Sequence, residues 1–564
     1  MKKRKCLCWL LGLALLLSGC GSSQTENATN TQTDAAQGDT VPTTVSLSQM
    51  FSDSDLEIGY DDVNSAHITL SGTTAACDSD AVQSSGSQIT LTEEGTYILS
   101  GSLEDGMVIV DGEDSAKVQL VLDNAQIGCS TSAAIYVRNA DKVFITTAPD
   151  SQNTLSNGGE YVAMDDNNID SVIFAKADLT LNGSGTLTIS AAAGHGIVSK
   201  DDLVLSGGTY EITAASHGIS GKDSVRIASG NYTITSGKDG IHAENADDTT
   251  LGFLYIEDGT FTIHAQGDGL SAGVYLQIEE GDFTVTTGDG SASVTLDKGS
   301  TDFGPGFFGA PMDSTTEEAD TVSQKGVKAD GTLTISGGSF QIDTVDDAIH
   351  ANGDLLIAGG EFHLSTGDDG IHSDTALTIQ DGTFSIPYCY EGIEGLSITI
   401  DAGTYNITSA DDGLNAAGGA DSSGFGGRMP GQEGFGGSSD SFIVINGGEF
   451  VIVSSGDCID SNGSLTINGG TIDLTCNGAG DTALDCDGTY TNKAVPSPPT
   501  TARKTIPVRW MGSRGHGWPS RRYGRSARWS GTKRHRGNIT SDKIPHKKRG
   551  RFRPLFYFLL ASFW

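Results

Sequence analysis

The sequence predicts an all-β protein, a single-stranded right-handed parallel β-helix of ~22 residues per coil, from three observations. First, 324-QKGVKADGTLTISGGSFQIDTV-345, 346-DDAIHANGDLLIAGGEFHLSTG-367 and 368-DDGIHSDTALTIQDGTFSIPYC-389 align without gaps. Second, each unit holds three short apolar clusters, in the last of them Ile371, then Leu377 and Ile379, then Phe384 and Ile386. The paired clusters alternate as strands with one buried face do. Third, DG, GG and SG dipeptides separate the clusters and supply turns. No segment of the body offers a helical stripe with caps.

Taken in order, residues 1–20 are a targeting segment. MKKRK is basic, and 7-LCWLLGLALLLSG-19 is apolar but short for a membrane span. The ending 17-LSGC-20 resembles a bacterial lipobox. That resemblance implies cleavage before Cys20, diacylation of its sulfur, and a chain held by lipid on the extracellular face of the cell membrane. Residues 21–45 form a polar, low-complexity tether. The β-helix is expected over 46–492. Weak patterns open it at 95-GTYILSGSL-103, 118-VQLVLDN-124 and 179-LTLNGSGTLTIS-190. Regular units follow at 194–215, 216–237 and 267–288, with a longer coil at 238–266 and a shorter one at 390–410. Gly-rich insertions at 299–321 and 417–440 interrupt them. Residues 493–564 break the pattern. They hold 18 Lys and Arg and seven of the 13 prolines, and read as a disordered or out-of-frame tail, with a basic wall-binding segment as the alternative.

Residues 21–492 carry 12 Lys and Arg against 71 Asp and Glu, a net charge of −59. Such a field repels nucleic acid and anionic membranes and attracts cations. Nucleic acid is excluded as a partner, and a membrane enters only through the lipid. The body's six cysteines form no CxxC pair, so buried single thiols are expected and a zinc cluster is not. The chain is expected to be a monomer.

Stacking turns a repeated phrase into columns with a step of ~4.8 Å. One column reads His195, His217, Asp239, Asp268, Lys325, Asp347, Asp369, Glu391, Asp412 and Asp457. The position before it gives Asp346, Asp368 and Asp411, and three residues on stand His242, His350, His372, Glu394, Asn415, Asp460 and Asp485. The intervening Ile or Leu points inward and the polar neighbours are expected to point out. Carboxylates ~5 Å apart repel by roughly 3 kcal/mol per pair at an effective dielectric near 20. Hard cations that favour carboxylate oxygens relieve this, and Ca²⁺ is the expected one outside a cell. Asp346, Asp347, Asp368 and Asp369 are the first candidate site. Asp411, Asp412, Asp457 and Asp460 are the second, and Asp239 with Asp268 is a weaker third. The histidines beside the carboxylates read as hydrogen-bond partners rather than zinc ligands.

The series 95-GTYILSGSL-103, 177-ADLTLNGSGTLTI-189, 368-DDGIHSD-374, 390-YEGIEG-395 and 411-DDGLNAAGG-419 resembles the bacterial secreted carbohydrate-binding β-helix family, formerly a domain of unknown function. The resemblance covers roughly residues 45–490. It implies a fold like that of pectin-degrading lyases, bound calcium, and affinity for cellulose-like and acidic, pectin-like polysaccharides. It places calcium or glycan contacts at Asp346, Asp347, Asp368, Asp369, Glu391, Glu394, Asp411 and Asp412. The expected function is polysaccharide binding without catalysis. The body has no tryptophan, which weakens a Trp-platform mode of glucan binding and leaves Tyr388 and Tyr390 as stacking candidates. Two other readings stand beside it. A calcium-dependent polysaccharide lyase would use Lys325 or Lys328 as the base that takes a sugar C5 proton. A passive surface adhesin or spacer would need neither.

Overall fold

The computed structural model describes residues 50–77, 79–296, 322–417 and 440–493. The targeting segment, Cys20, the tether, nearly all of both Gly-rich insertions and the tail lie outside these residues. Within them the protein is all-β. Its regular coils contain three parallel ladders, in which each strand pairs with its counterpart one repeat earlier and one repeat later. The register confirms the repeat: Ile349 pairs with Ile371, Leu355 with Leu377 and Phe362 with Phe384, each 22 residues on. The long coil appears as the pairing of Ile241 with Leu270, and the short one as that of Ile393 with Leu414. Both insertions leave the register intact, since Leu270 pairs with Val327 and Leu414 with Ile459.

The inward residues form one continuous core of Ile, Leu, Val and aromatic side chains. Its most regular part is a file of nine rings, Tyr210, Tyr232, Phe261, Phe283, Phe340, Phe362, Phe384, Tyr405 and Phe450. Successive centroids lie 4.5–5.2 Å apart with planes within 7°. Aromatic pairs in general favour offset or edge-to-face contact. Here the coil step sets the spacing, and each ring fills the width between its neighbours. Tyrosine fits the file because its hydroxyl reaches a turn carbonyl three residues back: Tyr210 donates to Gly207 and Tyr405 to Ala402, at 2.8 and 2.7 Å. The turn before each ring needs glycine. Gly360 has φ +123°, and a Cβ there would stand 3.0 Å from both the Gly338 carbonyl and the Phe362 ring.

Two features depart from the sequence reading. A four-residue helix, Asp53–Leu56, opens the described chain, and Ser52 and Asp55 close a capping box on it. The helix belongs to a strap, residues 50–59, that lies across the outside of the second ladder. Arg226 donates to the Met50 carbonyl, Asn182 to that of Glu57 and Gln119 to that of Gly59. The Asp55 carboxylate is buried and holds Lys142 Nζ at 2.5 Å and Thr180 Oγ1 at 2.6 Å. Burial pushes its pKa up, but Lys142, Ser52 and Thr180 outweigh that and bring it to about 2. The second departure is antiparallel pairing at the start, Ala66–Gly72 with Thr74–Ala76 and Val82–Ser85 with Gln88–Leu91. The six described cysteines are free thiols, four of them buried, as the spacing predicts.

Phe362→Ala removes one ring from the middle of the file and is expected to cost about 3–5 kcal/mol, read as a lower urea midpoint. Phe362→Leu, which keeps most of the volume, should cost much less.

Candidate functional site

The turn that precedes the first ladder brings the acidic phrase together. Its column residues share a backbone pattern in which the carbonyl of each accepts from the coil before. Gly326 N–H donates to Asp347, Ala348 N–H to Asp369, Gly370 N–H to Glu391, Gly392 N–H to Asp412 and Gly413 N–H to Asp457. The structure therefore places the column as read from the sequence.

It does not place the side chains outward. Asp347 and Asp369 are wholly buried, and Asp268, Asp346 and Glu391 nearly so. The reason is a second hydrogen bond, from the backbone N–H of each rung to the side chain of the rung before. Asp268 N–H donates to Asp239 Oδ1 at 2.9 Å, Lys325 N–H to Asp268 Oδ1 at 2.8 Å, and Asp369 N–H to Asp347 Oδ1 at 3.0 Å. Glu391 N–H donates to Asp369 Oδ1 at 3.1 Å and Asp457 N–H to Asp412 Oδ1 at 2.6 Å. One oxygen of each of these aspartates is thus committed to holding the stack, and the other is left for charge chemistry.

Lys325 cannot accept, and the ladder changes there. Asp347 N–H turns to Asp346 Oδ1 at 3.0 Å, while Lys325 Nζ lies 2.9 Å from Asp346 Oδ1 and 2.6 Å from Asp347 Oδ2. Asp346, Asp347 and Asp368 are close enough to share an ion, but the ammonium already stands between two of them. Burial pushes Asp347 up, yet Lys325 and His350 hold it well below the usual carboxylate range. Burial and the Asp347 charge push Asp346 up. Burial disfavours the Lys325 ammonium, but Asp347 and Asp346 more than reverse this and raise its pKa above the usual lysine value. Lys328 is raised likewise by Asp268 and Asp330, against burial. Its Nζ lies 3.8 Å from Asp268 and 3.2 Å from Asp330.

The histidines act as hydrogen-bond partners here. His350 meets Asp347 Oδ2 at 2.8 Å through Nδ1 and Asn352 Oδ1 at 2.7 Å through Nε2. His372 faces Glu394 at 3.0 Å through Nδ1 and Asp374 at 3.1 Å through Nε2, with Asp369 3.4 Å from Nδ1. Burial opposes its charge, but Asp369, Asp374 and Glu394 raise its pKa well above the ordinary value. The first candidate site therefore carries its own cations.

The second is built differently. Asp457, Asp460 and Asp485 bring carboxylate oxygens within 4.8 Å of one another. Among the described residues no lysine, arginine or histidine forms an ion pair with Asp412, Asp457 or Asp460. Burial, then the charges of Asp411, Asp460 and Asp457, raise Asp412 to about 8. Burial, then Asp457 and Asp485, raise Asp460 to about 7. Asn415 stands between Glu394 and Asp460 in the flanking column. It donates Nδ2 to Glu391 at 2.9 Å, and its buried Oδ1 has no hydrogen-bond partner. Carboxylates and an amide carbonyl are ligands of hard cations. Of the stacking candidates, Tyr390 donates to Asp411 Oδ2 at 2.8 Å and Tyr388 to the Val294 carbonyl at 2.8 Å, so both hydroxyls are engaged.

Fold and site together define an all-β protein of stacked coils with a line of buried and half-buried carboxylates along one turn. The family profile of carbohydrate-binding domain-containing proteins matches residues 85–370 and 366–501, and the chain belongs to that family. A carbohydrate-binding domain-containing protein of Acetivibrio thermocellus is 33% identical over 153 residues, 27% of this chain; the match spans 54% of that relative's length. A solved structure described as a polysaccharide lyase-like protein from C. thermocellum, a gadolinium derivative, is 33% identical. It covers 40% of this chain and 92% of its own, with a TM-score of 0.39.

Two predictions follow from the charges. Lys325→Met leaves Asp346 and Asp347 without their cation and should cost about 3–5 kcal/mol at pH 7, with a smaller loss near pH 4, by urea unfolding. Asp412→Asn keeps an oxygen for the Asp457 N–H but removes the charge. Because the folded pKa of Asp412 is raised, its contribution to metal-free stability is full below the unfolded value near ~3.9 and declines as pH rises toward 8. The substitution should raise the metal-free melting temperature at pH 8 and change it little at pH 4.

Proposed function

We propose that this protein is a non-catalytic polysaccharide-binding protein whose ladders wind as a right-handed parallel β-helix. In this reading Ca²⁺ sits at the uncompensated end of the acidic line, and Cys20 lipid holds the chain on the outer face of the membrane. The observation that carries the calcium is the crowding of Asp457, Asp460 and Asp485 beside Asp412, with Asp412, Asp457 and Asp460 all raised in pKa by burial and by neighbouring carboxylate charge. A hard cation offsets that repulsion and binds the Asn415 oxygen as a further ligand. Bound there, Ca²⁺ supplies open coordination positions that a uronate carboxylate can fill, so an acidic, pectin-like glycan reaches a surface that would otherwise repel it. The family supports carbohydrate as the partner. Cellulose-like glucans are the alternative ligand, and the lack of tryptophan in the body argues for the acidic one.

A lyase is the second reading. Lys325 is ill suited as its base, because a lysine clamped by two aspartates with a raised pKa holds its proton at neutral pH. Its burial also keeps it from a glycan. The test is retention on polygalacturonate and on cellulose, in calcium and in chelator, with absorbance of unsaturated product followed. Calcium-dependent retention on polygalacturonate, abolished in Asp412→Asn and Asp460→Asn and without product, is expected. Retention indifferent to chelator sinks the calcium bridge. Product formation lost in Lys325→Met makes the protein a lyase.

A further inference from the structure

At the other end of the line the carboxylates give way to imidazoles, and the geometry changes. His195 and His217 stack at 5.0 Å, and His217 and His242 at 4.6 Å. Asp239 lies against the last two, with Oδ2 3.3 Å from His217 Nδ1 and 3.0 Å from His242 Nδ1. We propose that His217, Asp239 and His242 form a binding site for a first-row transition-metal ion of the zinc(II) class, separate from the carboxylate cluster at 411–485.

Three observations carry this. His242 Nδ1 is buried and makes no hydrogen bond, even though Asp239 Oδ2 is only 3.0 Å away, because the oxygen lies off the ring's N–H axis. A nitrogen and an oxygen that approach without aligning are disposed as two ligands of one ion are. With bonds of ~2.0–2.1 Å, ligand atoms on a tetrahedral ion stand about 3.3 Å apart, and the two contacts to Asp239 Oδ2 match that edge. Third, the donor set is wrong for calcium. Asp239 Oδ1 is committed to Asp268 N–H, which leaves one carboxylate oxygen and two imidazole nitrogens where calcium takes six to eight oxygens. Zinc, cobalt, nickel and copper accept imidazole. His217 Nδ1 now accepts a long bond, 3.2 Å, from Asp239 N–H. Metal binding exchanges that long bond for a coordinate one, offsetting the cost of freeing the Asp239 N–H, and water completes the fourth position.

The paired rings of this site differ from those of His350 and His372, which also stack, at 4.8 Å. There both nitrogens of each ring already have an oxygen partner within hydrogen-bond reach.

The test uses the full chain with calcium in excess, so that hard-cation sites are filled, and Co²⁺ then Zn²⁺ as probes. Expected is one equivalent of Co²⁺ with the intense visible bands of a four-coordinate ion and no thiolate charge-transfer band, displaced by Zn²⁺. His242→Gln should weaken binding by more than about a hundredfold, beyond the cost of losing an outer partner. His264→Gln, an exposed histidine on the next ladder, should leave binding unchanged. The wild-type spectrum decides by itself if a variant fails to fold. A six-coordinate spectrum, a thiolate band, displacement by calcium, or equal affinity in His242→Gln overturns the proposal.

Discussion

The acidic turn from Asp239 to Asp457 depends on one hydrogen bond repeated from coil to coil, the backbone N–H of a rung donating to the side chain of the rung before. It satisfies a buried donor at a turn, where the strand ladder no longer does so, and an unsatisfied donor there would cost a full desolvation penalty. The acceptor must be short and must carry two lone-pair atoms or a free ring nitrogen. Aspartate meets that need at Asp239, Asp268, Asp347, Asp369 and Asp412. Histidine meets it at His195 and His217, whose Nδ1 atoms accept at 3.3 and 3.2 Å. The side chain that looks functional in sequence is therefore structural first, and its second oxygen or nitrogen is what remains for chemistry.

That double duty explains Asp346. Lysine at position 325 cannot accept, so the next N–H, that of Asp347, needs another oxygen, and Asp346 supplies it. The same carboxylate then helps Asp347 neutralise the lysine that created the need. A substitution of one rung's acceptor by a cation thus requires a second acid beside the first. Acidic doublets at this turn have two distinct grounds: Asp346 completes the backbone, whereas the Asp411 charge raises Asp412.

The 22-residue period made most of this legible. Ile371, Leu377 and Phe384 announced their faces because a period-two strand leaves only two directions for a side chain, and the register followed once three units aligned. The columns were legible for the same reason. The burial of Asp347 and Asp369 was not, since they sit in a turn, where alternation sets no direction and only the coil before decides. Nor was the strap: Arg226 meets Met50 and Asn182 meets Glu57 over 176 and 125 residues of sequence, and no local pattern records such a pairing. The small helix at its centre had a signal, the serine and aspartate of 52-SDSD-55 in capping-box spacing.

Charge compensation along the turn then sorts the molecule into three stretches. At His195 and His217 the acceptors are ring nitrogens, and burial drives His195 down to about 3, so it adds no charge. From Lys325 to His372 the carboxylates are met by the Lys325 ammonium, the His372 imidazolium and a hydrogen bond from His350. Farther along, no lysine, arginine or histidine among the described residues pairs with Asp412 or Asp460, and both hold protons near neutral pH. A stack stabilised only by its own contacts would gain by ending in asparagine, which offers the same Oδ1 without repulsion. Retaining aspartate at 412, 457 and 460 keeps a cost that backbone hydrogen bonding does not require. That excess charge, rather than the presence of acids as such, is what singles out the last coils for the proposed cation.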